Sequence, residues 1–232
     1  LAQVEITDQN KNGLLLVFSR HGMASRLPAV LQAGADLKHT DKAGNTSVWL
    51  AMEHKHEAAV EVLLQAIIAA GMDINARAGG GKQGQTLLMR ASALGLTSTV
   101  AKLLALGADV AAKDANQKDP IDHAANEDVK AAFAKHLAQV DITDQNKNGL
   151  LLVFSRYGMA LRLPAVLQAG ADLKHTDENG KVAFDHAKEI KDKEKREAVL
   201  TVMADFSVMS AVALGKADLV AAAVAKGCNV NE

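Results

Sequence analysis

A chain of 232 residues that is 49% hydrophobic but only 3% aromatic must build its interior from Leu, Val, Ile and Ala, and its three prolines are too few for the turns of an all-β sandwich. The 26 basic and 27 acidic residues are interspersed and leave a net charge of -1, without the basic footprint that neutralising nucleic-acid phosphates requires. The longest apolar stretch, near Val62–Gly71, is broken by Gln65 and is too short to span a bilayer. Alanine and leucine favour helix, so the composition predicts a soluble, mostly helical protein. A single cysteine, Cys228, rules out an internal disulfide and fits a reducing compartment. The chain begins Leu1-Ala2-Gln3 with neither Met nor a charged-then-apolar leader. The expected compartment is therefore cytoplasmic by default, and periplasmic or host-translocated if a signal peptide has been removed.

Residues 1–41 recur almost unchanged as 137–177, differing only at Glu5/Asp141, His21/Tyr157 and Ser25/Leu161. Such identity points to a recent tandem duplication or to deliberate design. A shorter period runs through the chain: a Gly, then twelve residues on another Gly, usually followed by Ala-Asp. It appears at Gly22/Gly34, Gly95/Gly107, Gly158/Gly170 and Gly215/Gly227. Between the glycines lie Leu27-x-x-Val30-Leu31 and Val100-x-x-Leu103-Leu104, whose i, i+3, i+4 spacing marks one apolar helix face. A second short helix, such as Leu87-Leu88-Met89-Arg90-Ala91-Ser92, precedes each first Gly. The unit reads helix, Gly turn, helix, Gly C-cap and a polar finger such as Asp109–Asp114. Glycine suits both turns because helices commonly end on a residue at positive φ. One such hairpin cannot bury its own apolar face, so the units must stack.

These features resemble the ankyrin repeat family, whose pattern runs G-x-T-P-L-H-x-A-A-x-x-G and then V-x-x-L-L-x-x-G-A-D-V-N-A. Gly44-Asn45-Thr46, Gly84-Gln85-Thr86-Leu87-Leu88, Asp119-Pro120-Ile121-Asp122-His123-Ala124-Ala125, Asp73-Ile74-Asn75-Ala76 and Asn229-Val230-Asn231 each match part of it. The resemblance implies an all-α ankyrin-repeat solenoid of about seven helix-turn-helix units with finger loops. They cover 8–40, 41–77, 84–113, 114–140, 144–176, 177–205 and 206–232, as a single solenoid over 1–232. The family's His, which links neighbouring units, is replaced by Leu16, Trp49, Met89, Asp122, Leu152, Asp185 and Met209. Unit two has four extra residues between Lys55 and Gly71, about one helical turn, and a long Gly-rich finger over 77–84. Unit four lacks about three residues around Asn126. The charged run 188–197 reads as a solvated helix face or a polar C-terminal cap. The final unit, which follows with almost no finger, reads as part of a permuted or cut array.

Few motifs suggest chemistry. Gly79-x-Gly81-x-x-Gly84 has dinucleotide-fingerprint spacing but no preceding strand, so it reads as an extended finger. In Glu53-His54-Lys55-His56-Glu57 the histidines are at i and i+2, which on a helix point to different sides, and Val60 occupies the second-His place of a zinc motif, so these read as exposed turn residues rather than ligands. His123 and His186 open inner helices and are expected to hydrogen-bond locally. Trp49 reads as core and Tyr157 as exposed.

The resemblance further implies a concave face lined by fingers and inner helices, with exposed positions just after the finger Asp or just before the turn Gly. These are Asn10, Asn12, Arg20, His21, Lys42, Asn45, Glu53, His54, Lys82, Gln83, Gln85, Asn116, Lys118, Asn146, Asn148, Arg156, Tyr157 and Lys181. The expected function is a non-enzymatic scaffold that binds a partner protein through that face, in a sharper form as an inhibitor or immunity protein of a bacterial enzyme. The alternative is an engineered or duplicated array without a natural partner. No cofactor, metal, nucleic acid or membrane insertion is expected, and self-association through the uncapped final unit is left open.

Overall fold

A computed structural model of the chain describes residues 5–77 and 84–206. Backbone contacts divide the chain into two compact units, residues 1–139 and 140–232. The first holds α1 (Lys11–Arg20), a 3-10 turn (Ala24–Arg26), α2 (Leu27–Gln32), α3 (Ser47–Glu53), α4 (Glu57–Ala69), α5 (Leu87–Leu94), α6 (Thr97–Ala105) and α7 (Glu127–Gln139). Within it α1, α3 and α5 pack side by side as an inner row, α2, α4 and α6 form an outer row, and α7 lies against α6. The second holds α8 (Lys147–Arg156), a 3-10 turn (Ala160–Arg162), α9 (Leu163–Gln168), α10 (Ala183–Lys188) and α11 (Lys193–Phe206). There α8 packs on α10 and α9 on α11. No strand occurs among the described residues. The isolated bridges Thr40–Thr46 and Thr176–Val182 only close two finger turns.

The helical periodicity explains the rows. Val100, Leu103 and Leu104 of α6 are all buried, as are Leu27 and Val30 of α2 and their duplicates Leu163 and Val166. Burying one such side chain stabilises by about 1.5–3 kcal/mol, and each does so only because a neighbouring hairpin supplies the opposing surface. Pro28 and Pro164 stand in the first turns of α2 and α9, where the missing N–H costs nothing.

The turns follow the same logic, with two exceptions. Lys55 occupies the turn position held elsewhere by Gly22 and Gly95, and Gln117 the finger position held by Gly44 and Gly180. Both keep the left-handed conformation, at φ 57° and 62°, which costs a side-chain-bearing residue roughly 1–2 kcal/mol. His54 and His56 flank this turn, as expected of turn residues, though only His54 is exposed and His56 is half-buried. His54 and His56 are not on a helix; the turn brings their rings nearly parallel, with centroids 6.1 Å apart. His56 Nε2 lies 3.0 Å from the Arg20 carbonyl, tying α3's end to α1's.

Two further expectations are corrected. Unit four has no inner helix: residues 120–123 form a single turn, and His123 therefore opens no helix. With three residues missing, only one turn fits. Asp119 Oδ1 accepts the amides of Ile121 and Asp122 at 3.0 Å while Asp122 Oδ2 accepts that of Asp119 at 3.1 Å. Asn126 Oδ1 then caps α7 by accepting the Val129 amide. The charged run 188–197 is not one helix face either; it crosses the turn between α10 and α11. The unit 206–232, apart from Phe206, and Lys82 and Gln83 of the Gly-rich finger lie outside the described residues.

Candidate recognition surface

Each described finger is pinned at its legs by aspartates. The Asp of the Gly-Ala-Asp or equivalent element accepts the amide two residues on: Asp36 from Lys38, Asp73 from Asn75, Asp109 from Ala111 and Asp172 from Lys174, each at 2.8 Å. Asparagines steady the same legs, since Asn12 Oδ1 accepts the Asp36 amide, Asn75 Oδ1 that of Asp109 and Asn148 Oδ1 that of Asp172. A second set closes the tips. Asp41 Oδ1 accepts from the Ala43 and Asn45 amides, Asp114 Oδ1 from Asn116 and Lys118, and Asp177 Oδ1 from Asn179 and Lys181. The tip residues Lys42, Asn116 and Lys118 are thus exposed on turns whose backbone is already fixed.

The remaining oxygen of each tip aspartate distinguishes the fingers. Asp41 Oδ2 accepts from the Asn45 side chain at 3.0 Å and from Arg20 at 3.1 Å. Asp114 Oδ2 faces His123 Nε2 at 2.9 Å, and Asp177 Oδ2 faces His186 Nε2 at 3.0 Å. Both histidines lie nine residues after their aspartate, where the Asp41 finger has Leu50. The local hydrogen-bonding role expected of His123 and His186 is what the geometry shows. For Asp114 burial pushes the carboxyl pKa up, but the Lys118 and Asn116 amides and His123 outweigh it and hold it below the ordinary value. Burial likewise opposes, and the Lys181 and Asn179 amides with His186 overcome it, at Asp177. At Asp41 the Asn45 side chain is the main cause of a lowered value.

Of the two duplicated arginines, Arg20 bonds Asp41, and Arg156 lies over the Tyr157 ring at 5.7 Å and is among the charges lowering the Glu189 pKa. Tyr157 is half-buried rather than exposed, whereas its duplicate His21 is exposed. The third difference between the copies leaves Leu161 96% exposed.

Among the other residues singled out from the sequence, Arg20 and His54 are exposed, and Asn10, Asn12, Asn45, Glu53, Gln85, Asn146, Asn148, Arg156 and Lys181 are half-buried. Several use their polar groups within the chain. Asn10 and Asn146 each bridge their own loop, to residues 5 and 7 and to 141 and 143, and Lys181 Nζ reaches Glu189 at 2.6 Å. Glu53 accepts from Trp49 Nε1 at 3.1 Å and pairs with Arg90, whose guanidinium lies 5.4 Å from the Trp49 ring centroid. At the positions of the family's His, Met89 Sδ, Asp122 and Asp185 accept the amide of the residue three before, so Met89 and Asp185 close their own helix starts and Asp122 its single turn.

Sequence reasoning missed a cleft of about 430 Å³ in the first unit, between the finger 37–46 and the leg 72–77. The four extra residues of unit two are the signal that pointed there. Its long helix, α4, has 13 residues against 9 in α6, and one added turn, about 6 Å, carries the following leg outward. Trp49 is 2% exposed, as expected for core, yet it also forms part of the cleft wall. Among the described residues no group of three His, Cys, Asp or Glu side chains converges as a metal site, and no helix is long and apolar enough to cross a membrane.

Residues 8–114 match the family model for ankyrin repeats, in three copies. No curated protein matches the chain. Ankyrin repeats generally mediate protein–protein interactions and are typically non-enzymatic. The match covers the hairpins of the first unit through its third finger, and residues 144–177 repeat 8–41 of it with two substitutions. Residues 8–114 are thus ankyrin repeats.

Proposed function

We propose that this chain is a non-enzymatic recognition scaffold that binds a partner protein through its fingers and inner helices. The observation that carries the reading is the repeated construction of the finger tips. Asp41, Asp114 and Asp177 each fix a turn through two backbone amides, so residues such as Lys42, Asn116 and Lys118 are offered to a partner with little left to order on binding. In its finer form the partner is an enzyme of a bacterium and the chain its inhibitor or immunity protein, with a finger entering the enzyme's cleft. The near-identity of 1–41 and 137–177 favours one other reading, a duplicated or engineered array without a partner.

Photo-crosslinking separates the two. A benzophenone side chain at Lys42 or Lys118, on finger tips, is expected to capture one protein from cells that make the chain. The same group at Gln65, on the exposed side of α4, is expected to capture nothing in common with it. Capture from Gln65 alone would move the surface to the outer helices, and no specific capture from either tip would favour the array without a partner.

A further inference from the structure

We infer that the uncovered face of the first hairpin, α1 with α2, is a self-association surface through which two copies of this chain meet. The inference goes beyond the recognition reading and does not involve the fingers. Equivalent repeat positions mark the face. Five residues before the turn stand Val17, Leu50 and Val153, and nine residues after it stand Leu31, Leu64, Leu104 and Leu167. Leu50, Leu64 and Leu104 are buried, in a stack where α1 packs on α3, α2 on α4 and α4 on α6. Val17 is instead 47% exposed, and Leu14, one turn before it, and Leu31 on α2 are only half-buried. Local sequence is not the cause. In the second occurrence of the same helices Leu150, Val153 and Leu167 are all buried, Val153 to 3% exposure. Every atom that buries them belongs to this chain, so these side chains suit a surface of its own make.

A hairpin with no neighbour packed on one side ordinarily carries a polar face there, which keeps a stacked array soluble. This one carries the apolar face of an interior repeat, with Leu14 and Val17 three apart on one side of α1 and Leu31 on α2. The occupant is a second copy meeting it through the same face. That contact needs no surface beyond the one left uncovered, and a two-fold axis makes each patch its own complement. Charge does not oppose it, because Lys11 and Arg20, towards the two ends of α1, are already paired with Asp8 at 2.9 Å and Asp41 at 3.1 Å. Size sets the strength. The 10 residues of α1 span about 15 Å, and two helices side by side about 20 Å. Such a face falls among the weak, transient interfaces that bury less than about 1,200 Å², so the dimer is reversible, with Kd of about 10–500 μM.

Sedimentation equilibrium of the full chain, from about 10 μM to about 1 mM, tests this. The parent is expected to pass from one chain to two with rising concentration and to go no further. Val17→Lys, which adds a charge where the side chain is already exposed in the monomer, should weaken the dimer at least about ten-fold with unchanged far-UV circular dichroism. Ile68→Lys, at an exposed apolar position on α4, should leave the dimer as it is. A benzophenone side chain at Gly13, exposed one turn before Val17 with open space around a Cβ, locates the contact. In mixtures of heavy- and light-isotope copies its crosslinks should join residues 11–32 of one copy to 11–32 of the other. A monomer throughout, growth beyond two chains, a dimer indifferent to Val17→Lys, or crosslinks only to other segments of the second copy would overturn the inference. Capture of a partner from the finger tips is independent of all these outcomes.

Discussion

Replacing the same glycine in the two duplicated segments tests how stacking, rather than local sequence, sets the cost of a turn. Gly22 and Gly158 sit in local sequence that differs only at the preceding residue and three residues on (Ser25/Leu161), at φ 65° and 72°. Alanine at either must adopt the left-handed conformation at roughly 1–2 kcal/mol. Their surroundings differ. A Cβ at Gly22 would lie 2.6 Å from His56 Nδ1 and 2.7 Å from its Cγ, whereas one at Gly158 would lie 3.0 Å from Lys195 Cβ. The His56 ring is bonded to the Arg20 carbonyl at 3.0 Å, and moving it away forfeits about 1 kcal/mol besides the overpacking cost of about 1–3 kcal/mol. At Gly158 the close atom is the Cβ of Lys195, at the exposed first turn of α11, which must give by only a few tenths of an ångström. Gly22→Ala is therefore expected to cost about 3–6 kcal/mol and Gly158→Ala about 1–2 kcal/mol. Urea denaturation read by Trp49 fluorescence reports on the first unit, and hydrogen exchange of peptides from each copy resolves both. In the double variant Gly22→Ala/His56→Ala the glycine substitution should cost only its backbone strain, which a double-mutant cycle isolates. Equal losses at the two sites, or no coupling between Gly22 and His56, would refute the argument.

Three other outcomes follow from single features. Lys55→Gly should raise stability by about 0.5–1 kcal/mol, because relief of the left-handed strain exceeds glycine's added unfolded-state entropy; a melt showing a loss would mean that Lys55 gains more from its contacts than it pays in strain. Ser47→Pro should stabilise by a similar amount, about 0.4–1 kcal/mol: Ser47 opens α3 after an extended Thr46 at ψ 167°, where proline is tolerated, and its buried Oγ has no hydrogen-bond partner. A destabilised Ser47→Pro would show that the α3 entry is not free to lose that amide. For pH, Asp114 and Asp177 have lowered folded-state values, so their stabilisation is complete above the unfolded value near about 3.9 and is lost as pH falls through the folded values. Asp114→Asn/Asp177→Asn should be less stable than the parent at neutral pH, with the gap closing below about pH 4; a gap that stays constant into acid would remove the carboxylates' charge from the account.

Much of the repeat was legible in the sequence because its determinants are local. The i, i+3, i+4 spacing of Val100, Leu103 and Leu104 and the glycines flanking them specify a hairpin by backbone geometry alone, and α6 forms there. The twelve-residue spacing also exposed the four extra residues between Lys55 and Gly71, whose added turn lengthens α4 beside the cleft. What the sequence did not disclose depends on partners distant along the chain. Asn12 and Asn148 look like free surface amides until the leg of the finger folds back onto them 24 residues later. Nothing near Arg20 says that it meets Asp41, 21 residues on. Trp49 reads as plain core, since its place in a cleft wall arises only when the finger 37–46 and the displaced leg 72–77 face each other across it. Sequence by itself determined the hairpins and their turns, because torsional preference and one apolar face act within a few residues. Tertiary structure decided which polar groups are used up and where a cavity remains, because hydrogen-bond satisfaction and packing are settled between hairpins.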